Sequence, residues 1–253
     1  MKFIAEIGVN HLGSEALAIN YCDFLTKTGV EAITLQVRED SFYDGSAPWK
    51  TALSNECYIK CGDIIKSSGK LFGIATADLG VARRTADLKP DFWKVLSWGI
   101  KDTQLIRFLV DTRAPVYIST GISDMTEIAS VADEFGQQVQ FIHTQLSTEA
   151  KDANLAAIPA IRNKTGCDVS FGLHCNNFNV INVAIAYRPQ AVFFYVKDTQ
   201  ADNYPDGSYA IWTDEVDTLI DELRILLDAV GDGVKGVFSP KTLTHSDKPE
   251  SLR

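Results

Sequence analysis

Short apolar runs rich in β-branched residues alternate with amphipathic segments along almost the whole chain. The segment at residues 14–29, for example, places Leu17, Tyr21 and Leu25 on one helical face. Eight apolar runs have the length of strands: 2–9, 32–37, 71–76, 92–98, 115–120, 139–145, 168–174 and 191–198. The pattern therefore predicts eight strands, each followed by a helical segment.

Eight such repeats are typical of a closed (β/α)₈ TIM barrel. Parallel strands need crossover helices, and near-continuous apolar strands indicate a sheet that is covered on its outer face. A length of 253 residues suits this fold, which usually needs about 250. The alternative is a doubly wound open sheet, but the first strand lacks a GxGxxG loop. We expect a single domain, with the barrel over residues 1–240 and a C-terminal tail over 241–253.

Charge and composition narrow the partners and the location. The 24 basic residues are scattered among 33 acidic ones, for a formal net charge of −9, which argues against nucleic-acid or anionic-membrane partners. No apolar run approaches the roughly 20 residues of a membrane span, and residues 1–9 do not resemble a signal peptide. The five cysteines are odd in number and predict free thiols. We expect a cytoplasmic protein that binds small molecules.

Polar residues follow nearly every predicted strand, at the end of the barrel where such folds place their sites. They are Glu6, Asn10 and His11, Gln36 and Arg38, Thr76 and Asp78, Lys94 and Ser97, Ser119 and Thr120, His143, His174 and Asn176, and Lys197 and Asp198. Asp78, Thr120 and Asp198 are equally well explained as helix caps or polar plugs. Because unpartnered buried polar groups are costly, the set as a whole predicts a polar cavity.

Six stretches, in chain order, resemble motifs of the sialic acid synthase family. They are AEIGVNHLGS (5–14), FGIAT (72–76), WKVLSWGI (93–100), YISTGISDMTEI (117–128), FIHTQLSTEAKDANLAAI (141–158) and AVGDGVKG (229–236). The resemblance implies a barrel enzyme of sialic acid biosynthesis, in which phosphoenolpyruvate condenses with an N-acetylated aldose such as N-acetylmannosamine. It further implies a divalent metal (Mn or Mg) that polarises the aldehyde, and a homodimer. The family's C-terminal antifreeze-like domain has no counterpart in the sequence.

Several residues match the family's phosphoenolpyruvate site. Lys94 and Ser97 lie on the lysine and serine of its YKIASG motif, Ser119 on the serine of STGM, and Thr76 on the third-strand threonine. The match implies that an ammonium and hydroxyls hold a phosphate or carboxylate. The alternative for Lys94 is a side chain that extends to solvent.

The second strand departs from the family pattern. The family reads VKFQ and this chain reads ITLQ, so Thr34 replaces the lysine on the phosphate of phosphoenolpyruvate, while Gln36 is retained. Arg38, two residues further on, is a candidate replacement cation. The following segment, residues 38–50, is either a lid or an ordinary surface loop.

The metal site departs further. In place of the family's EKHFT this chain reads YVKDT, so Tyr195 replaces the glutamate and Lys197 the metal histidine. In place of GLSDHT it reads SFGLHCNN, where the other metal histidine aligns with either His174 or Asn176. His174 is thus the one metal-ligand candidate, and a single histidine is weak evidence for a metal.

Two charged residues invite competing interpretations. The Lys197 ammonium either occupies the vacated metal position, polarising a carbonyl or forming a Schiff base, or pairs with Asp198 or Glu6. Glu6 either pairs with Lys197, binds the sugar, or is a buried ion-pair partner. We assign Glu6, Lys94 and Lys197 as catalytic candidates. The substrate-binding candidates are Asn10, Gln36, Thr76, Ser97, Ser119, His174 and Asn176.

Two classes of function remain open. The retained residues favour a synthase, metal-dependent or not, that forms a carbon–carbon bond. The lost lysine and metal histidine favour a non-catalytic barrel that binds an anion or sugar, and an aldolase or lyase with another substrate is a further alternative.

Overall fold

Eight parallel strands form a closed barrel, which confirms the predicted (β/α)₈ fold. The computed structural model describes residues 1–199, 201 and 203–235, so the predicted tail at 241–253 lies outside the described residues. The strands are β1 (Lys2–Gly8), β2 (Ala32–Gln36), β3 (Leu71–Thr76), β4 (Phe92–Val95), β5 (Val116–Ser119), β6 (Val139–His143), β7 (Val169–Gly172) and β8 (Ala191–Lys197). They pair in chain order, and β1 closes the ring by pairing with β8.

Helices cover the outside of the barrel. They are α1 (Glu15–Leu25), α2 (Asn55–Ser67), α3 (Leu79–Thr85), α4 (Thr103–Asp111), α5 (Met125–Phe135), α6 (Ala157–Thr165), α7 (Asn179–Ala184) and α8 (Val216–Val230). Side-chain caps begin several of them: Ser14 accepts from the Leu17 N–H, and Asp78 from the Val81 N–H. No helix in the described part of the chain is long and apolar enough to cross a membrane.

The barrel interior is apolar toward the amino ends of the strands and polar toward their carboxyl ends. Alternate residues point inward along a strand, and the lower inward positions hold a separate apolar cluster that includes Ile4, Phe92 and Phe193. Two residues further along β1, Glu6 lies level with Thr34 of β2 and Tyr195 of β8. The side chains that point inward near the carboxyl ends of the strands are therefore the chemically active ones.

Most strands end one to three residues earlier than predicted, and at β4 and β7 the difference moves a predicted site residue out of the strand. β4 stops at Val95, which lies opposite Thr76, the last residue of β3. Beyond Val95, β3 therefore has no further residue for β4 to pair with. Ser97 then lies in a short 3₁₀ turn, Ser97–Gly99. β7 stops at Gly172, which places His174 in the connection that follows. Both side chains remain at the carboxyl end of the barrel.

A ninth short strand alters the path of the chain after β8. β9 (Ile211–Trp212) pairs in parallel with the end of β8, Val196 opposite Ile211. The loop between them is held against β1, because the Asn10 Oδ1 accepts from the Asp206 N–H at 3.2 Å. The loop after β8 is thereby placed over the carboxyl end of the barrel.

Candidate active site

A cavity of about 350 Å³ opens at the carboxyl ends of the strands. Two groups of residues line it and meet where Lys94 lies 5.5 Å from the Tyr195 ring centroid. The cation side comprises Lys94, Ser97 and Ser119, with Glu6 behind Lys94, and the aromatic side comprises His174, Tyr195, Asp206 and Tyr209. Six predicted site residues thus come together, five as lining residues and Glu6 through its contact with Lys94.

A buried ion pair forms the base of the cation side. The Lys94 Nζ of β4 donates to the Glu6 Oε2 of β1, and the two residues are 3% and 2% exposed. The Lys94 ammonium also lies 5.6 Å from the ring centroid of Phe193 and 5.5 Å from that of Tyr195. Lys94 therefore does not extend to solvent. Glu6 is a buried ion-pair partner, as one of its three interpretations predicted, and it pairs with Lys94 and not with Lys197.

Two serine hydroxyls line the same cavity as the ammonium. The Ser97 Oγ accepts from the Gly121 N–H at 3.2 Å, which joins the turn after β4 to the end of β5. Gly121 has to be glycine here, since a Cβ would lie 2.7 Å from that same oxygen. Ser119, the last residue of β5, lines the same wall. This arrangement suits an oxyanion, which takes hydrogen bonds from hydroxyls and charge from an ammonium.

On the β2 side of the cavity, Thr34 stands in the interior where the family motif has a lysine, and the positive charge of Arg38 lies at the rim. Thr34 is buried, and its Oγ1 has no hydrogen-bond partner among the described residues. Gln36 lines the cavity, as does Arg38, whose guanidinium pairs with Glu39 at 2.8 Å. A cation is therefore present at the end of this strand, but at the rim and already paired.

Aromatic side chains close the outer rim around Arg38. Its guanidinium carbon lies 4.0 Å from the Phe42 ring centroid and 4.7 Å from that of Trp98. Trp49 packs against Phe42, with ring centroids 5.7 Å apart, and also lines the cavity. The segment at 38–50 thus contributes Phe42 and Trp49 to the cavity wall, whereas its movement as a lid remains a prediction.

The aromatic side is built around His174. Its ring stacks on Tyr209 at 4.7 Å between centroids and meets Tyr195 edge-on at 5.4 Å. Burial, and secondarily the charge of Lys94, lowers the pKa of His174 to about 3. Burial also raises the pKa of Tyr195 and Tyr209. At neutral pH the imidazole is therefore uncharged and both hydroxyls keep their protons.

Asp206 supplies a carboxyl group to this side from the loop between β8 and β9. Its Oδ1 accepts from the Tyr209 hydroxyl at 2.5 Å. Burial raises the pKa of Asp206 from 3.8 to about 6; nearby Glu6 raises it as well, while the Tyr209 hydrogen bond and Lys94 oppose the rise. Asp206 is accordingly a carboxyl group that changes protonation close to neutral pH.

Gly8 lets this group approach the barrel. It has a φ of +59°, and a Cβ there would lie 2.6 Å from the Tyr195 Cε1 and 2.9 Å from the Asp206 Oδ2. A side chain would overlap both residues, and the left-handed backbone would be strained as well. The glycine of the first-strand motif thus makes room for the aromatic side.

Four predicted site residues lie elsewhere. Asn10 is buried and fully used, its Nδ2 donating to the Val196 carbonyl at 2.8 Å and its Oδ1 accepting from Asp206, so it positions the loop and does not line the cavity. The Thr76 Oγ1 accepts from the Asp78 N–H within its own turn, at 3.3 Å. Asn176 is exposed, which leaves His174 as the residue that faces the cavity.

Lys197 is the fourth residue, and the structure corrects its predicted position. Its Nζ donates to the Gly207 carbonyl at 2.6 Å and lies 4.4 Å from the Trp212 ring centroid. β9 and the loop before it provide both partners, and Lys197 does not line the cavity. The ammonium therefore stabilises this loop and does not occupy the position of a metal.

Three residues of the cavity were not predicted from the sequence: Asp206, Tyr209 and Trp98. All three line the cavity. A usable signal was the loop YPDGSY at 204–209, where tyrosines and an aspartate follow directly after the last strand of the barrel.

The residues present do not fit the divalent metal that the resemblance implied. In the described part of the chain, no group of three or more His, Cys, Asp or Glu side chains is arranged to hold a metal ion. The imidazole of His174 is enclosed by two tyrosine rings, and the place of the other metal histidine is taken by Lys197, which does not line the cavity. A structural metal site of protein ligands needs about four donors, and a catalytic one about three.

A (β/α)₈ barrel with a buried lysine, hydroxyls and carboxyl groups at the carboxyl ends of its strands has the architecture of a small-molecule enzyme. Comparison with known proteins identifies the family. The NeuB family model matches residues 27–235, and the chain belongs to the NeuB family.

Curated relatives share modest identity over most of their length. The pseudaminic acid synthase of Campylobacter jejuni is 22% identical over 257 aligned residues, which cover 91% of this chain and 75% of the relative. The spore coat polysaccharide biosynthesis protein SpsE of Bacillus subtilis is 24% identical over 271, covering 97% and 72%. These relatives support a role as a sugar-acid synthase.

Solved structures support the fold. The N-acetylneuraminic acid synthetase of Leptospira borgpetersenii, crystallised with citrate, superimposes with a TM-score of 0.84 at 19% identity, covering 92% of this chain and 86% of that one. A DAHP synthase of Thermotoga maritima gives a TM-score of 0.74 at 13% identity, over 91% and 70%.

Proposed function

We propose that this protein condenses phosphoenolpyruvate with an N-acetylated aldose to form a nonulosonate, with release of phosphate. The observation that carries the proposal is the buried Lys94 ammonium, which is held by Glu6 and lines one cavity with Ser97 and Ser119. These are the residues at which the chain matches the family's phosphoenolpyruvate motifs. The relatives named as pseudaminic acid synthases support the same class of reaction.

The cation side binds the three-carbon substrate. The Lys94 ammonium and the two serine hydroxyls contact its phosphate or carboxylate, and Glu6 holds the ammonium in position through the buried ion pair. Gln36 and Arg38 line the adjacent wall, where the aldose enters between them and the aromatic side. The rings of Phe42, Trp49 and Trp98 offer flat apolar surfaces for a sugar.

The reaction needs no group transfer to the protein. The methylene carbon of phosphoenolpyruvate bonds to the aldehyde carbon, and water adds to C2. The bond between C2 and the oxygen of the phosphate group then breaks. Negative charge that develops on phosphate is stabilised by Lys94 and the serines in a site shielded from water. This chemistry places both substrates inside the cavity at the same time.

Phosphate release from phosphoenolpyruvate, measured with N-acetylmannosamine and related N-acetylated aldoses, tests the proposal. Lys94→Met should raise the Michaelis constant for phosphoenolpyruvate by about tenfold or more, because it removes a charge-assisted contact of about 1.5–3 kcal/mol. Lys101→Met is the matched control, since Lys101 is exposed and pairs with Glu127 on the surface. Thermal melts establish that each variant is folded.

A binding function is the second candidate, and Thr34 favours it. The threonine leaves the interior of β2 without the cation that the family motif carries at this position. Saturable binding of phosphoenolpyruvate that Lys94→Met abolishes, without phosphate release for any aldose, would contradict the synthase and establish an anion-binding barrel.

A further inference from the structure

The proposed condensation requires an electrophile at the aldehyde oxygen. When the new carbon–carbon bond forms, negative charge develops on that oxygen, and a metal ion or a proton donor has to neutralise it. The donor set of the described residues does not fit a metal, so we look for a side chain at the cavity that meets this charge.

Three groups near the cavity are unsuited to this task. His174 has its pKa lowered to about 3 and is an uncharged imidazole that stacks on Tyr209. Lys94 is engaged by Glu6 and is assigned to the three-carbon substrate. Lys197 is held by the Gly207 carbonyl and does not line the cavity.

Asp206 is placed where such a group is needed. Asp206 lines the cavity together with Lys94, and the contacts of its backbone and side chain hold it in place. The backbone N–H donates to the Asn10 Oδ1, the Asp206 Oδ1 accepts from Tyr209, and Oδ2 lies so near Gly8 that a Cβ there would be 2.9 Å away. The described hydrogen bonds to the carboxyl use Oδ1 alone, so Oδ2 carries the transferable proton.

We propose that Asp206 is the catalytic proton donor to the aldehyde oxygen and takes the role that a metal ion would play. This inference rests on the proposed synthase function and deepens it. It assigns the acceptor subsite to the aromatic side, where Tyr195, Tyr209 and His174 exclude water around the carboxyl.

The proton and electron balance closes without a further reactant. The π electrons of phosphoenolpyruvate form the carbon–carbon bond, and the carbonyl π pair forms the O–H bond with the Asp206 proton. Water adds to the resulting C2 cation, and its proton returns to the Asp206 carboxylate. The bond between C2 and the oxygen of the phosphate group then breaks. C2 becomes a ketone, and the proton of the C2 hydroxyl leaves with the phosphate.

Protonation of Asp206 is compatible with this role. Its pKa of about 6 leaves a usable fraction of the acid near neutral pH. The groups that face it are Glu6 of β1, Lys94 of β4, Tyr195 of β8 and Tyr209 of its own loop. Of these, Glu6 and burial favour the protonated form, and Lys94 and Tyr209 favour the carboxylate.

The test compares three variants in the phosphate-release assay, after treatment with EDTA and after addition of Mn²⁺. Asp206→Asn keeps the shape and removes the acid, and Asp206→Glu restores an acid at a shifted position. Asp198→Asn is the matched control, because Asp198 also accepts a tyrosine hydroxyl, from Tyr204, but does not line the cavity. Calorimetric titration with Mn²⁺ gives a readout that is independent of turnover.

We expect wild-type turnover to survive EDTA and no saturable Mn²⁺ uptake. Asp206→Asn should lower kcat by about 10²-fold or more with little change in the Michaelis constant for phosphoenolpyruvate. Asp206→Glu should recover part of kcat, and Asp198→Asn should leave it unchanged. The wild-type kcat should fall as pH rises above about 6, and that fall should be absent from the residual rate of Asp206→Asn.

The failures are distinguishable. Turnover that EDTA abolishes and Mn²⁺ restores, together with saturable Mn²⁺ uptake, overturns the role of Asp206 and leaves the synthase intact. Near-wild-type kcat in a folded Asp206→Asn variant does the same. Absence of phosphate release from the wild type in every condition overturns the synthase, and this inference with it.

Discussion

The two sides of the cavity differ in how they are built. The cation side matches the family motifs residue by residue and rests on one buried ion pair, Glu6–Lys94, between two strands. The aromatic side has Tyr195 where the family motif has a glutamate, and it draws Asp206 and Tyr209 from a loop. The cation side is thus built from strands and the turn after β4, and the aromatic side depends on a loop and its hydrogen bonds.

The two sides also differ in how the barrel accommodates buried ionisable groups. On the cation side the two buried charges neutralise each other at direct contact. On the aromatic side burial shifts the pKa of His174 and Asp206 toward their uncharged forms. The first side should therefore fail when one partner is removed, and the second should respond to pH.

Breaking the ion pair should have the largest effect. Glu6→Ala should lower the free energy of unfolding by about 4 kcal/mol, since it leaves the Lys94 charge buried and unpaired. Urea unfolding measures the loss, and Glu134→Ala in the exposed Arg107 pair is the control, at about 0.5 kcal/mol. The double variant Glu6→Leu/Lys94→Met should recover most of the stability. A loss under about 1 kcal/mol in Glu6→Ala would contradict this account.

The pH dependence of stability sharpens the comparison on the aromatic side. The pKa of Asp206 is about 6 in the folded state against an ordinary 3.8, so its ionisation opposes folding. The cost is absent below pH 3.8 and complete above pH 6, and it amounts to about 3 kcal/mol. Asp206→Asn should therefore gain about that much relative to wild type between these limits, in urea unfolding at each pH. A constant difference across the window would show that Asp206 is not shifted.

Gly8→Ala tests the packing that lets the two sides meet. A Cβ at Gly8 would overlap Tyr195 and Asp206, whereas at Gly45, which also has positive φ, it would meet no atom within 4 Å. Both substitutions introduce backbone strain of about 1 kcal/mol, because both glycines have positive φ. The overlap adds to this at Gly8 alone, so Gly8→Ala should lower the free energy of unfolding by about 2 kcal/mol more than Gly45→Ala. Equal losses in thermal unfolding would mean that the loop yields to the added methyl group.

The smallest expected effect concerns Thr34, the β2 position where the family motif has a lysine. Thr34→Val removes a buried hydroxyl that lacks a partner among the described residues, so stability should be unchanged or rise by up to about 1 kcal/mol. The control is Thr120→Val, where the buried hydroxyl donates to the Ile142 carbonyl at 3.1 Å and its loss should cost about 1 kcal/mol. The reverse order in urea unfolding would place a hydrogen-bond partner at Thr34.

Much of the barrel was predictable because each strand is a local pattern. All eight predicted strands are present, and their ends differ by three residues at most, as at β4, where 92–98 becomes Phe92–Val95. The matched motifs also placed Lys94, Ser97 and Ser119 together correctly. Lys197 was misplaced, because sequence alignment carries no information on the β9 strand that draws its ammonium to Gly207 and Trp212.

By itself, the sequence determined the alternating architecture and the family, since hydrophobic periodicity and short motifs are properties of neighbouring residues. Only the tertiary structure decided which polar residues meet. Glu6 and Lys94 are 88 positions apart, and Asn10 and Asp206 are 196 apart. Closure of the barrel and strand register create those contacts. The free energy of burying a charge or an amide depends on the partner that closure provides, and no local pattern contains that partner.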